Sequence, residues 1–148
     1  MKTEIERKFI VTNSVYKSLG KHEYCIQGYI PSTNSPLVRI RTIGNRSFLT
    51  MKSDVNGIKC IEYEYEIPNQ DAKELLELFC QNSIVEKNRY TIYHESKLWE
   101  VDEFLGANQG LIVAAVELES EDQHYNKPSW IGKEVSTDKE YYNYNLAH

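Results

Sequence analysis

Charged and apolar side chains alternate along nearly every strand-like segment of this chain, and the charges within one segment mostly share a sign. Successive side chains of a β-strand point to opposite faces, so each segment would carry one charged face and one apolar face. Like charges on one strand face repel each other unless opposite charges or a bound ligand lie beside them. The pattern therefore favours a fold that brings acidic and basic rows together.

The rows differ in sign from one segment to the next, and each places its charges two positions apart. The acidic rows are Glu4 with Glu6, Glu62 with Glu64 and Glu66, Glu100 with Asp102, and Glu117 with Glu119. The basic rows are Arg39 with Arg41, followed by Lys52 on the next segment, and Lys87 with Arg89, while Lys8 continues the row of Glu4 and Glu6.

Turn-forming residues separate the segments and give them bounds. Strands are predicted over 2–10, 22–30, 36–43, 46–53, 58–67, 84–95, 97–105 and 111–119. Leucine and phenylalanine recur at helical spacing over 71–81, which predicts an amphipathic helix. A short helical turn is expected over 14–19, and a last one in the tail, 137–146.

Two arrangements fit such half-charged strands. One is a sandwich whose outer face is solvated; the other is a closed barrel with charges inside and apolar residues outside, where helices cover them. Closure into a barrel removes the exposed edges that a long sheet would have. Rows of charges that share one sign suit a water-filled lumen, where rows of opposite sign can lie side by side, better than a solvated outer face. We predict a mainly β (α+β) fold: an eight-stranded antiparallel β-barrel tunnel with a charged lumen, helices packed outside, and one domain over 1–148.

Composition limits the class of protein. The net charge of −5 argues against general nucleic-acid binding, and no apolar run is long enough for a membrane helix. Cys25, Cys60 and Cys80 show no ligand spacing, so they fit reduced thiols in a cytoplasmic protein. Apolar outer faces without helix cover leave a homodimer open.

The predicted lumen suits a metal-bound chain of phosphates. Glu4 and Glu6, one pleat apart, form a pair of oxygen ligands suited to Mg²⁺ or Mn²⁺. Arginine and lysine side chains bind phosphate oxygens, and carboxylates share a divalent cation with them. The basic candidates are Lys8, Arg39, Arg41, Lys52, Lys87 and Arg89, and the acidic ones are Glu4, Glu6, Glu62, Glu64, Asp102 and Glu117.

These residues occur in an order that resembles a known family. The motifs are Glu4-x-Glu6-x-Lys8, Arg39-x-Arg41, Lys52, Glu62-x-Glu64, Lys87-x-Arg89-Tyr90, Trp99-x-x-Asp102-x-Phe104, Glu117 after Gly110-Leu111, and the segment 130–135. Together they resemble the triphosphate tunnel metalloenzymes, or CYTH superfamily, in their short bacterial form, across essentially the whole chain.

The resemblance implies metal-dependent hydrolysis of inorganic tripolyphosphate, and in some members of nucleoside triphosphates, inside a tunnel. It implies that Glu4, Glu6 and Glu117 bind Mg²⁺ or Mn²⁺, and that Glu62, Glu64 and Asp102 support them. The basic candidates above would bind substrate, and Lys8, Arg39, Arg41 and Glu117 would act in catalysis. Thiamine triphosphatase activity stays open, whereas adenylate cyclases tend to carry a His-Phe pair before the first motif, which this chain lacks.

Two positions depart from the family pattern. Cys60 stands where a basic residue is usual, and Ala115 replaces the first glutamate of the usual Glu-x-Glu in the last strand. The second change predicts impaired turnover and keeps open a non-catalytic polyphosphate-binding module. The histidines follow no motif and are expected at the surface, and Trp99, Trp130 and the tyrosines are expected to pack outside the barrel.

Overall fold

A computed structural model describes residues 1–148. Its strands are β1 (Lys2–Ile10), β2 (Lys21–Ile30), β3 (Leu37–Ile43), β4 (Arg46–Lys52), β5 (Lys59–Ile67), β6 (Ile84–His94), β7 (Lys97–Phe104) and β8 (Ile112–Leu118). The α-helices are α1 (Asn69–Phe79) and α2 (Asn143–Leu146), and short 3₁₀ helices span Val15–Ser18, Gly106–Asn108 and Lys139–Tyr141. All eight predicted strands are present, with ends that differ by at most one residue.

The strands form one closed antiparallel barrel, which confirms the predicted fold. Their order around the barrel is β1-β5-β4-β3-β2-β6-β7-β8. Strands β2 to β5 form a meander, and β6 to β8 form another. Strand β1 closes the barrel because it pairs with β5 through Lys2–Ile5 and with β8 through Ile5–Ile10.

The apolar core lies on the outside of the barrel, as the alternation predicts. Phe9, Trp99, Val101 and Val116 are fully or nearly fully buried in the largest cluster, which Tyr16 of the first 3₁₀ helix and Trp130 help to cover. A second cluster joins Ile40 of β3 to α1. The outward apolar faces are thus buried by segments wrapped around the barrel, and the polar faces remain inside.

Helix α1 lies over β2, β3 and β4. It begins at Asn69 directly after Pro68 and ends at Phe79, two residues earlier at each end than predicted. Ala72 and Leu76 face the barrel, where Gly28 of β2 allows the approach. A Cβ atom on Gly28 would lie 2.7–3.0 Å from Cys80, Ile84 and Leu76, so only glycine fits between helix and strand.

The C-terminal tail closes one end of the lumen. Val85, Phe104 and Val113 point inward at that end and pack against Tyr141, Leu146 and Ala147. Asn108 donates a hydrogen bond of 2.9 Å to the carbonyl oxygen of Leu146. Neither α-helix has the length and apolar composition that a membrane-spanning helix requires.

Candidate active site

The lumen holds a cavity of about 420 Å³ that is lined mainly by charged side chains. It extends from a mouth near Lys2, Val55 and Leu98 to the tail residues Tyr142–Asn145. The predicted candidates that line it are Glu4, Glu6, Lys8, Arg39, Arg41, Lys52, Glu62, Glu64, Arg89 and Glu117.

Two predicted candidates, Lys87 and Asp102, do not line the cavity. Both are buried directly behind it, and their Nζ and Oδ2 atoms are 2.8 Å apart. Lys87 also donates to Asn143 Oδ1 at 2.9 Å, which ties β6 to the tail. Lys87 therefore contacts the groups that shape the cavity and not the cavity itself.

The carboxylates proposed to hold metal are paired with lysines. Lys52 Nζ lies 2.8 Å from Glu4 and 3.7 Å from Glu62, and Lys8 Nζ lies 3.8 Å from Glu6. Burial opposes charge on Glu4, but the Lys52 ammonium outweighs it and lowers the pKa of Glu4 to about 2. Burial raises the pKa of Glu6, and the nearby Glu4 carboxylate adds to the rise against the effect of Lys8.

The donor set fits a hard divalent cation that is completed by substrate oxygens. No three histidine, cysteine, aspartate or glutamate side chains converge as a ready metal cage. Mg²⁺ is commonly held by one or two carboxylates together with substrate phosphates, and not by an all-protein cage. Glu4 and Glu6 share one face of β1 and line the cavity, so they match that demand.

Arg39 and Arg41 each leave hydrogen-bond donors without a protein partner. Arg41 forms no ion pair, and its Nε donates only to Gln27 Oε1 at 3.0 Å. Arg39 lies 3.6 Å from Glu64, and its buried Nε has no hydrogen-bond partner. Burial, with Arg39 and Arg89 nearby, lowers the pKa of Arg41 to about 10. Two neighbouring guanidinium groups thus present unused donors to the cavity.

Arg89 is held rigidly by carboxylates. Its Nε and Nη2 donate to the two oxygens of Asp102 at 2.8 and 2.9 Å, and its Nη1 donates to Glu100 at 3.1 Å. Burial works against charge in this group, but these ion pairs raise the pKa of Arg89 and lower that of Asp102. The acidic and basic rows of β6 and β7 thus neutralise each other, as their signs predict.

The two departures from the family pattern both lie on the lumen side. Cys60 is opposite Glu4 in the β1–β5 register, and its Sγ lies 3.6 Å from Glu4 Oε1. Burial raises the pKa of the Cys60 thiol to about 11. The neighbouring Lys59 does not replace the usual basic residue, because it points to the outer face. Ala115 lies between Lys8 and Glu100. Glu117, opposite Glu6, is 45% exposed at the mouth and pairs with Lys2 at 3.1 Å.

Several lining residues were not predicted from the sequence. Tyr29, Tyr142 and Tyr144 face the cavity, so the expectation that every tyrosine packs outside is wrong for these three. Tyr29 alternates with Gln27 on β2, and the two-residue period therefore contained the signal. Tyr142 and Tyr144 lie in the tail, where no strand period applies. Glu100, which the sequence placed in an acidic row but not among the site candidates, also lines the cavity. The remaining polar lining that was not predicted is Lys2, Ser53, Ser136, Asn143 and Asn145.

Comparison with known proteins agrees with this geometry. The model of the CYTH domain family matches residues 2–146. An inorganic triphosphatase of Acetivibrio thermocellus is 47% identical over 147 residues, covering 99% of this chain and 94% of that protein. An inorganic triphosphatase of Nitrosomonas europaea is 38% identical over 150 residues, covering 98% and 97%.

A solved structure shows the same barrel. The crystal structure of an inorganic triphosphatase superposes with a TM-score of 0.72 at 36% identity, covering 99% of this chain and 95% of that one. The ordered motifs, the charge-lined barrel and these matches all agree. The chain belongs to the CYTH family, as its sequence motifs predicted.

Proposed function

We propose that this protein hydrolyses inorganic tripolyphosphate to orthophosphate and pyrophosphate, in the cytoplasm and with Mg²⁺ or Mn²⁺. The observation that carries the proposal is Arg41, a cation inside the cavity without a carboxylate partner. A cation left unpaired in a lumen of paired charges is poised for an anionic ligand, and guanidinium groups suit phosphate oxygens. The curated relatives named inorganic triphosphatase support the choice of substrate.

In this proposal the basic lumen residues bind phosphate and the acidic ones bind metal or orient the basic residues. Arg39, Arg41 and Lys52 hold the phosphate chain through their donors, and Arg89 adds positive charge near Arg41. Glu4, Glu6 and Glu117 would hold the divalent cation, while Glu62 and Glu64 keep Lys52 and Arg39 oriented. Lys87 and Asp102 fix Arg89 from behind.

Hydrolysis forms a bond from a water oxygen to the terminal phosphorus and breaks the bridging phosphorus–oxygen bond, so that pyrophosphate leaves. Lys8 and the two arginines stabilise the charge that develops on the phosphate oxygens. The water proton passes to solvent at the mouth. A bound divalent cation supplies further charge neutralisation and lowers the pKa of a water molecule.

Phosphate release from tripolyphosphate, measured with Mg²⁺, with Mn²⁺ and with EDTA, tests the proposal. We expect release only with metal, and a loss on the order of 10²-fold for Lys8→Ala, the scale seen when one charge-stabilising donor is removed. Lys17→Ala, at an exposed lysine outside the barrel, is the matched control and should retain full activity. Unimpaired hydrolysis by Lys8→Ala would contradict the assignment.

Ala115 favours a second candidate, a non-catalytic polyphosphate-binding module. Tight binding of tripolyphosphate without phosphate release at any metal concentration would favour that module over the enzyme. The same assay with adenosine triphosphate and thiamine triphosphate tests the wider substrate range. Faster turnover of thiamine triphosphate than of tripolyphosphate would assign the chain to the thiamine branch.

A further inference from the structure

We infer that Glu100 supplies the lumen carboxylate that Ala115 lacks, and that it serves as an acidic ligand of the metal–triphosphate complex beside Glu4 and Glu6, with a larger contribution than Glu117. This inference rests on the proposed function. Glu100 is not part of the family motifs, and the strand register places it beside Ala115.

The register fixes where the missing carboxylate would have stood. Ala115 of β8 is paired with Lys8 of β1 on one side and with Glu100 of β7 on the other. Neighbouring strands are about 4.8 Å apart, so β1 and β7 are roughly 10 Å apart across β8. Ala115 offers only a methyl group at this position, and Glu6 and Glu100, on the strands to either side of β8, both line the cavity.

Glu100 is free to turn toward a ligand without releasing Arg89. Its single ion pair joins it to Arg89 Nη1 at 3.1 Å. Asp102 independently holds Arg89 through two hydrogen bonds of 2.8 and 2.9 Å. Asp102 itself is buried between Arg89 and Lys87 and has no such freedom.

Glu117 is less well placed than the family pattern suggests. It lies opposite Glu6, but its carboxylate is at the mouth, where it pairs with the exposed Lys2. Glu100 faces the interior of the lumen, one strand further round the barrel. Removal of charge at Glu100 should therefore weaken metal binding more than removal at Glu117.

The test measures Mn²⁺ affinity in the presence of imidotriphosphate, a non-hydrolysable analogue of tripolyphosphate, through the electron paramagnetic resonance signal of free Mn²⁺. We expect Glu100→Gln to weaken Mn²⁺ binding by about tenfold or more, a scale that even outer-sphere partners of a metal reach. Glu117→Gln should have a smaller effect. Glu103→Gln, on the outer face of the same strand, is the control and should bind normally.

A rescue separates a ligand from a mere partner of Arg89. Glutamine at 100 keeps an oxygen for Arg89 but loses the charge, so Ala115→Glu in the Glu100→Gln background should restore Mn²⁺ affinity. Normal affinity of Glu100→Gln, or failure of the rescue, would overturn the inference. If Glu100→Gln does not fold, Glu100→Asp replaces it, with weakened affinity expected and normal affinity contradictory.

The same measurement distinguishes a failure of the proposed function from a failure of this inference alone. Wild-type protein that binds no Mn²⁺ with the analogue would refute the proposed metal site and this inference together. Wild-type binding that is lost in Glu4→Gln but unchanged in Glu100→Gln would refute the inference alone.

Discussion

At the residue scale, the proposed role of Arg41 in anion binding carries a cost for the ligand-free protein. Its charge is partly withdrawn from water and faces two other arginines, without a carboxylate to offset it. Such a group destabilises the protein when the cavity is empty, and binding of an anion removes this destabilisation. Functional sites commonly carry this kind of local cost.

Arg41→Met should therefore weaken tripolyphosphate binding without destabilising the ligand-free protein. Tripolyphosphate affinity should fall by about 1.5–3 kcal/mol, the range for hydrogen bonds to charged groups. The free energy of unfolding of the ligand-free protein should stay the same or rise. Isothermal titration calorimetry and urea denaturation measure the two quantities. Arg46→Met, at an exposed arginine paired with Glu66, should change affinity little; a large loss of stability in Arg41→Met would contradict this account.

Lys87 makes stability depend on pH above neutrality. Burial, only partly offset by Asp102, lowers its pKa to about 7. Between pH 7 and 10.5 the unfolded chain then binds more protons at this lysine than the folded protein. Stability contributed by this group therefore rises with pH in that window, by at most about 1.4 kcal/mol per pH unit.

Lys87→Met should flatten that rise. Urea denaturation at pH 7.5, 8.5 and 9.5 measures it, as the difference in slope between variant and wild type. Lys17→Met removes an exposed lysine and should leave the wild-type slope unchanged. Equal slopes in wild type and Lys87→Met would show that Lys87 titrates near its ordinary pKa.

At the scale of elements, the strands were predictable because alternation is a local property. Glu62 and Glu64 identify the inner face of β5 from their spacing alone, and Trp99 and Val101 identify the outer face of β7. Lys87 shows the limit: alternation gives its face correctly but not its depth, which depends on how the tail packs against the barrel end. Tyr142 and Tyr144 follow no strand period, so no sequence signal directed them to the cavity.

Helix α1 offers a matched pair of leucines. Leu76 is nearly buried against β2–β4, whereas the side chain of Leu78 is solvent-exposed. Leu76→Ala should lower the free energy of unfolding by about 2–5 kcal/mol through lost burial and a residual cavity. Leu78→Ala should change it by less than about 0.5 kcal/mol. Similar losses in urea denaturation of the two variants would show that α1 does not pack as described.

At the scale of the whole molecule, closure of the barrel was predictable but the pairing of its charges was only partly so. The signs of the rows on β6 and β7 predict that Arg89 meets Asp102. The sign alone does not predict that Lys52 pairs with Glu4, because the two strands are not neighbours. Such a contact depends on the strand stagger across the lumen, which no local pattern encodes.

Ligand binding should stabilise the whole barrel, because the lumen is formed only when all strands are in place. A ligand at one hundred times its dissociation constant adds about 2.7 kcal/mol. Thermal unfolding should shift strongly upward with Mn²⁺ and tripolyphosphate together, and less with either alone, since the carboxylates and lysines then remain paired. Glu4→Gln should remove the extra shift given by the combination. Equal shifts with Mn²⁺ alone and with the combination would contradict a shared site.

Strand β1 carries Glu4, Glu6 and Lys8, and it pairs with β8 through Ile5–Ile10. These partners are more than one hundred residues apart in the sequence, as the pairing of Lys8 with Ala115 shows. Contacts between residues so far apart in the sequence form slowly, because closing the long loop between them costs conformational entropy before the contacts can stabilise the fold.

During synthesis on the ribosome, β1 can pair with β5 through Lys2–Ile5, but its segment Ile5–Ile10 has no partner strand until β8 has been synthesised. The order of synthesis thus delays assembly of the site until β8 has been made. A nascent chain that stops short of β8 would contain Glu4, Glu6 and Lys8, but it would lack Glu117 and the strand that closes the barrel beside them.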